Sequence, residues 1–135
     1  MLFRSHSERL REVCIRAATD PVLGAAISFS AGGRTGEIFT ECTVELAPLT
    51  EPQARRMIRR HPVYKALGDF RGMPAANEDA LVATLLKISA LMCEIPAVAE
   101  ISVNPLVIDD QLAVSLDAGV ALCALSGGKE IGVDV

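Results

Sequence analysis

The spacing of apolar and polar positions changes period twice along this chain. Glu12–Ala17 and Gly24–Ser30 are short apolar or alternating runs, bounded by the turn residues Thr19–Pro21 and Ala31–Gly36, and they read as strands. From Glu37 to Leu46 the alternation is cleaner. Ile38, Thr40, Cys42, Val44 and Leu46 fall on one face and Glu37, Glu41 and Glu45 on the other, with Phe39 as the exception, which predicts a strand whose acidic side is wet. After Ala47–Pro48 the period lengthens. Thr50 followed by Gln53 is a capping-box pattern, Pro52 suits a first helical turn, and Ala54, Met57 and Ile58 form an apolar stripe. His61–Pro62 ends that helix, and a short one through Val63–Leu67 follows. Asn77 is placed to cap a longer helix from Glu78 to about Cys93, stopped by Pro96, with Leu81, Leu85, Ile88 and Met92 facing a sheet. Val98–Ile108 and Leu112–Cys123 return to strand. Strands, then helices, then strands predict an α+β fold, a mainly antiparallel sheet packed with helices.

Length and composition narrow this picture. The 135 residues suffice for one domain, expected over residues 1–125, with Ser126–Val135 and its Gly127–Gly128 pair as a loosely held tail. Half the residues are hydrophobic and 22% charged, a globular composition, and with aromatics at 4% and no Trp the core falls to Ala, Val, Ile and Leu. A net charge of −4 argues against general nucleic-acid binding. No apolar run reaches the roughly 18 residues of a membrane span. Met1–Leu10 carries charges where a signal peptide needs an apolar stretch, so a cytoplasmic protein is expected. Cys14, Cys42, Cys93 and Cys123 form no CxxC, only His6 and His61 could complete a zinc site, and apolar neighbours favour buried, reduced, structural thiols.

Charge is unevenly spread. Between Pro52 and Arg71, six bases (Arg55, Arg56, Arg59, Arg60, Lys65, Arg71) stand against Asp69, a local +5 that leaves −9 elsewhere. A solvated helix face accounts for this more simply than an anion site.

The final two strands meet across Asp109–Asp110–Gln111. With a two-residue loop at Asp110–Gln111, Asn104 lies opposite Asp117 and Ser102 opposite Gly119, with Cβ atoms roughly 4.5–5.5 Å apart. A carboxamide and a carboxylate so placed are hard oxygen ligands, suited to a Mg²⁺ that keeps several waters and touches a nucleotide's phosphates. From spacing alone the simpler reading stands beside it: Asn104 makes a turn before Pro105, and Asp117 is an exposed strand residue.

The wording around these positions adds to the spacing. Glu100-Ile-Ser-Val-Asn104-Pro-Leu-Val-Ile, followed by Leu116-Asp117-Ala118, resembles the "E-L-D-I-N-P-L … L-D-A-R" signature of the ATP-grasp domain in NDP-forming acyl-CoA synthetases. Succinyl-CoA synthetase β-subunits carry a related version. Asp20-Pro-Val-Leu-Gly24, Ile27-Ser-Phe-Ser-Ala-Gly-Gly33, Glu37 and Leu46-Ala-Pro-Leu49 resemble the family's upstream motifs, and Ala54–Ile58, Arg71–Pro74 and Met92–Pro96 continue in register. The wording is closest to members fused to a protein lysine acetyltransferase domain.

The resemblance implies the C-terminal subdomain of an ATP-grasp fold, with Mg and ATP or another NTP as cofactors. Asn104 and Asp117 match the metal ligands, and Gly32, Gly33 and Glu37 match the loop and strand beside the nucleotide. For Gly32–Gly33 a plain turn is an equal alternative, for Glu37 a solvated strand position, and for Arg71 either an anion or a loop tie. Two positions depart from the pattern: the family's Asp is Ser102, and its Arg after L-D-A is Gly119. The resemblance also implies a missing N-terminal ATP-grasp subdomain and missing CoA-binding domains, in the same chain or a partner subunit. The expected role is a nucleotide- and Mg-binding half of an acid–thiol ligase or its acetyltransferase fusion, without turnover in isolation and with no catalytic residue of its own. The alternative is a non-catalytic regulatory or assembly module. A half-domain that exposes a normally covered apolar face is also expected to self-associate.

Overall fold

In the computed structural model of the chain, residues 11–32, 41–68, 75–111, 113–115, 118–123 and 130–134 are described. They form strands β1 (Arg11–Asp20), β2 (Gly24–Ala31) and β3 (Cys42–Leu46), then helices α1 (Glu51–Arg60), α2 (Tyr64–Leu67) and α3 (Glu78–Glu94). Strands β4 (Val98–Ile108), β5 (Ala113–Ser115), β6 (Ala118–Cys123) and β7 (Glu130–Asp134) follow. The sheet order is β3-β2-β1-β4-β6-β7, with β5 also on β4, and every pairing is antiparallel.

The helices begin where their capping residues direct. Thr50 and Gln53 make a reciprocal capping box at α1, with Pro in the first turn, and the Asn77 side chain accepts from Ala80 N at 3.0 Å to cap α3. His61 takes an extended conformation ahead of Pro62 and closes α1. Asn77 also ties α3 to the far end of the sheet, donating from Nδ2 to Gln111 O at 3.0 Å and from its backbone to Asp109 O at 2.7 Å.

Both helix stripes face the same side of the sheet. Leu81, Leu85, Ile88 and Met92 of α3, with Ala54, Met57 and Ile58 of α1, are buried against Val13, Ile15 and Ala17 of β1 and Ile27 and Phe29 of β2. Fully burying a side chain of this size contributes about 1.5–3 kcal/mol, so this seam supplies the core. Ser89 is buried within it and accepts the Leu49 N–H at 2.8 Å, which leaves no orphan donor there. Among the described residues no helix covers the opposite side of the sheet.

Two expectations are corrected here. The apolar face of β3 points outward: Val44 and Leu46 are 50% and 43% exposed, and Cys42 is exposed as well. The cause is register. Thr43 pairs with Phe29 and Glu45 with Ile27, so the polar positions of β3 share the helix side. There Thr43 Oγ1 donates to Met57 O at 2.8 Å, while Glu45 meets Arg56 and Arg60 of α1. Second, where a loose tail is expected, Glu130–Asp134 pairs with β6 from Cys123 to Gly119. This segment becomes the edge strand of the sheet beside β6.

Candidate functional site

Strand β4 lies between β1 and β6, a position where proline is excluded unless the ladder is interrupted. Pro105 sits at such an interruption. Val13 pairs with Leu106 and Ile15 with Val103, so two residues of β4, Asn104 and Pro105, oppose the single residue Cys14. The extra residue resets the alternation. Val103 and Leu106 are both buried on the helix side, and Asn104 between them is exposed on the open side.

On the other flank the predicted register holds. Ser102 pairs with Gly119 and Val103 with Ala118, and beyond the interruption Leu106 pairs with Ser115 in the same register. Asp117, the second expected metal ligand, lies outside the described residues, as do Gly33, Glu37 and Arg71. Gly32 is described and buried at the end of β2, its N–H donating to Glu12 O at 3.1 Å. A Cβ added there would stand 2.6 Å from the Val13 carbonyl carbon and 3.0 Å from Asn104 Oδ1. Glycine is therefore required at this position by close approach, and the approach is to the side chain expected to bind metal.

Magnesium takes oxygen ligands, keeps several waters and leans on substrate phosphates. Asn104 offers one such oxygen, and among the described residues no group of three His, Cys, Asp or Glu side chains could hold a metal ion. An exposed carboxamide oxygen is the kind of donor such a metal accepts.

The basic stretch is committed elsewhere. Arg55 bonds Glu51 and Glu78, each at 3.0 Å, and also Asp79. These bonds, the one to Asp79 foremost and then those to Glu51 and Glu78, hold its pKa above the ordinary arginine value. Arg59 reaches Glu78 at 3.1 Å, and Arg56 and Arg60 both reach Glu45 at 3.6 Å. All four arginines of α1 thus join the helix to acidic neighbours and are not a free cationic face.

A family model of the ATP-grasp domain matches residues 3–122. The chain belongs to the ATP-grasp family. It is 34% identical over 112 residues to the acetate–CoA ligase (ADP-forming) I subunit beta of Pyrococcus furiosus, covering 83% of this chain and 48% of that one. It is 33% identical over 95 residues to acetate–CoA ligase (ADP-forming) I of Archaeoglobus fulgidus, covering 70% of this chain and 14% of that protein. A solved structure of the dinucleotide-forming acetyl-coenzyme A synthetase 1 of Ca. Korarchaeum cryptofilum, in complex with coenzyme A and Mg-AMPPCP, superposes with a TM-score of 0.78 at 30% identity, covering 83% of this chain and 53% of that chain. The chain thus spans about half the length of the beta subunit it matches. The antiparallel sheet with helices on one side is the fold of an ATP-grasp C-terminal subdomain. Within the described residues no helix is long and apolar enough to cross a membrane.

Other ATP-grasp positions resolve into structural roles. His61 is buried: its Nδ1 accepts from Val63 N at 3.0 Å, its Nε2 lies 2.7 Å from Glu41 O, and its ring meets Phe29 edge-on. It locks the α1–α2 corner. A cavity of about 610 Å³ opens at that corner beside Arg59, Arg60, Tyr64 and Lys65, away from Asn104. Of the cysteines, Cys14 is buried as expected, whereas Cys42 and Cys93 are exposed. Cys42 follows the inverted face of β3, and Cys93 falls on the outer side of α3, one position past the buried stripe. Sequence reasoning passed over Arg16. Alternation along β1 puts it on the open face with Cys14 and Ala18, and its neighbours in the pairing were the signal that could have found it.

Proposed function

We propose that the chain is the C-terminal half of the nucleotide site of an ADP-forming acyl-CoA synthetase, binding a Mg-nucleotide through its open sheet face. The observation that carries this reading is the placement of Asn104: exposed on that face, set by the β4 bulge, and approached so closely by Gly32 that no side chain fits there. Asn104 together with Asp117 would hold the metal, and Gly32, Gly33 and Glu37 would border the nucleotide. When bound, the metal neutralises phosphate charge during transfer to or from the nucleotide. The protein's own part is to present hard oxygens from one rigid sheet. The relatives named above are acetate–CoA ligases, and the reaction proposed for the assembled enzyme is acyl-CoA + phosphate + NDP ⇌ acid + CoA + NTP. Residues 1–125 would serve as one such subdomain in the cytoplasm, with a further ATP-grasp subdomain and CoA-binding domains as partners.

A second reading, a non-catalytic regulatory or assembly module with the ATP-grasp fold, is favoured by one observation. Ser102 and Gly119, the two positions that depart from the family wording, are direct cross-strand neighbours, where that wording has an acid and a base facing each other. Losing both avoids stranding one charge. Two assays on the purified chain separate these readings. Equilibrium dialysis with ATP and Mg²⁺ should show binding that Asn104→Ala weakens, while ATP hydrolysis stays at the buffer blank. No nucleotide binding by the wild-type chain supports the module and overturns the nucleotide reading.

A further inference from the structure

We propose that Arg16, flanked by Ser28 and Ser102, is a seat for the phosphate chain of the nucleotide on the open sheet face, an assignment that deepens the nucleotide reading and rests on it for the ligand's identity. The argument begins with the pairing. Arg16 lies in β1, directly opposite Ser28 of β2 on one side and Ser102 of β4 on the other. Cross-strand neighbours point to the same face, and their Cβ atoms lie about 4.5–5.5 Å apart. Arg16 therefore rises from the sheet between two serines, both half-buried, while Arg16 itself is exposed. Guanidinium with flanking hydroxyl donors is the chemistry that recognises phosphate oxygens.

Arg16 differs from the arginines of α1 in having no acidic partner among the described residues. Glu100 is its diagonal neighbour, about 7–8 Å away by sheet geometry, and makes no bond to it. The position directly across from it, where the family wording has Asp, is Ser102. A carboxylate there would neutralise the guanidinium across the strands, and serine leaves it open to an external anion. The nearby positions Ala18, Ala26 and Gly119 are all small.

Position also selects the ligand. Asn104 follows Ser102 by two residues on the same face of β4, roughly 6.6 Å further along the strand. A single phosphate reaches one of these groups. A di- or triphosphate spans both, one end at Arg16 and the other at the metal-binding oxygen.

The test is titration of the full chain with tripolyphosphate, ATP, AMP and orthophosphate, with and without Mg²⁺, followed by calorimetry and amide chemical shifts. Tripolyphosphate and ATP should bind even without Mg²⁺, more tightly than AMP or orthophosphate, with the largest shifts at residues 16, 28 and 102. Arg16→Gln should weaken that binding tenfold or more. Ser102→Asp should do the same while leaving Arg16 in place, and Glu100→Gln should strengthen it. ATP binding that requires Mg²⁺ and Asn104 but is unchanged in Arg16→Gln overturns this inference and leaves the nucleotide reading standing. Tripolyphosphate binding lost in Arg16→Gln, with nothing added by adenosine or Mg²⁺, supports the seat and overturns the nucleotide reading. No binding of any of these ligands overturns both.

Discussion

Replacing Gly32 with Ala tests the close approach on which the proposed site depends. The new Cβ would sit 2.6 Å from the Val13 carbonyl carbon and 3.0 Å from Asn104 Oδ1. Asn104 is an exposed side chain, whereas Val13 belongs to β1 and is paired on both sides, to Ala31 and to Leu106. Relief thus requires a backbone shift in a central strand. Overpacking of this kind costs about 1–3 kcal/mol, and a backbone obstacle puts the value in the upper half, about 2–3 kcal/mol. Ala also restricts the unfolded chain, which returns about 0.4–1 kcal/mol. The net loss is about 1–2.5 kcal/mol, or a fall in Tm of roughly 3–10 °C for a domain of this size. Urea denaturation and calorimetry measure it. Gly68→Ala is the control: its Cβ would meet only Lys65 O, at 3.9 Å, so stability should hold or rise slightly. Adding Asn104→Ala to Gly32→Ala should recover only a small part of the loss, because the Val13 contact remains. Gly32→Ala as stable as wild type would refute the claim that backbone contact demands glycine here.

Arg55→Gln should lower Tm more than Arg60→Gln, because it leaves Glu51, Glu78 and Asp79 without a shared cation, and the gap should narrow in high salt. Equal Tm values at low salt would contradict the network. Asp20 accepts from Leu23 N at 2.8 Å and Val22 N at 2.7 Å, which lowers its pKa below the ordinary 3.8. Its contribution is therefore fully present above the unfolded value, about 3.9, and is lost as pH falls through the folded one. Stability of Asp20→Asn should fall less steeply than wild type between pH 4 and pH 2, roughly the range over which such a carboxylate titrates; parallel acid limbs would refute this. Phe29→Ala removes a fully buried ring between α1 and the sheet and should cost about 3–5 kcal/mol by denaturant titration, whereas a loss near 1 kcal/mol would mean the core collapses around it.

Periodicity and caps made most of the fold legible. Thr50, Gln53 and Asn77 each act where their side-chain chemistry places them, because capping is decided within four residues. The hairpin register was legible for the same reason, a short turn fixing Ser102 against Gly119. What stayed hidden was whatever depends on a distant partner. Alternation in β3 shows two faces but not which one the helices cover, and pairing with Phe29 and Ile27 decides that. The α1 arginines read as solvated because their acids, Glu45 and Glu78, lie on other elements. At the candidate site, Asn104 was visible through its motif. The contact of Gly32 with it and the position of Arg16 needed the sheet order, which brings β2 and β1 beside β4.

The extra residue at Asn104–Pro105 changes the phase of β4. Ile101 and Val103 reach the core before it, and Leu106 and Ile108 after it, only because the count along the strand is advanced by one. Shortening the strand at Pro105 would do more than remove a kink. Leu106 and Ile108 would turn to the open face and Val107 toward the helices, so that half of a central strand would exchange its inside for its outside. The residue pair that aims the candidate ligand is thus the same pair that keeps the core in phase, and the chain cannot discard the one without disordering the other.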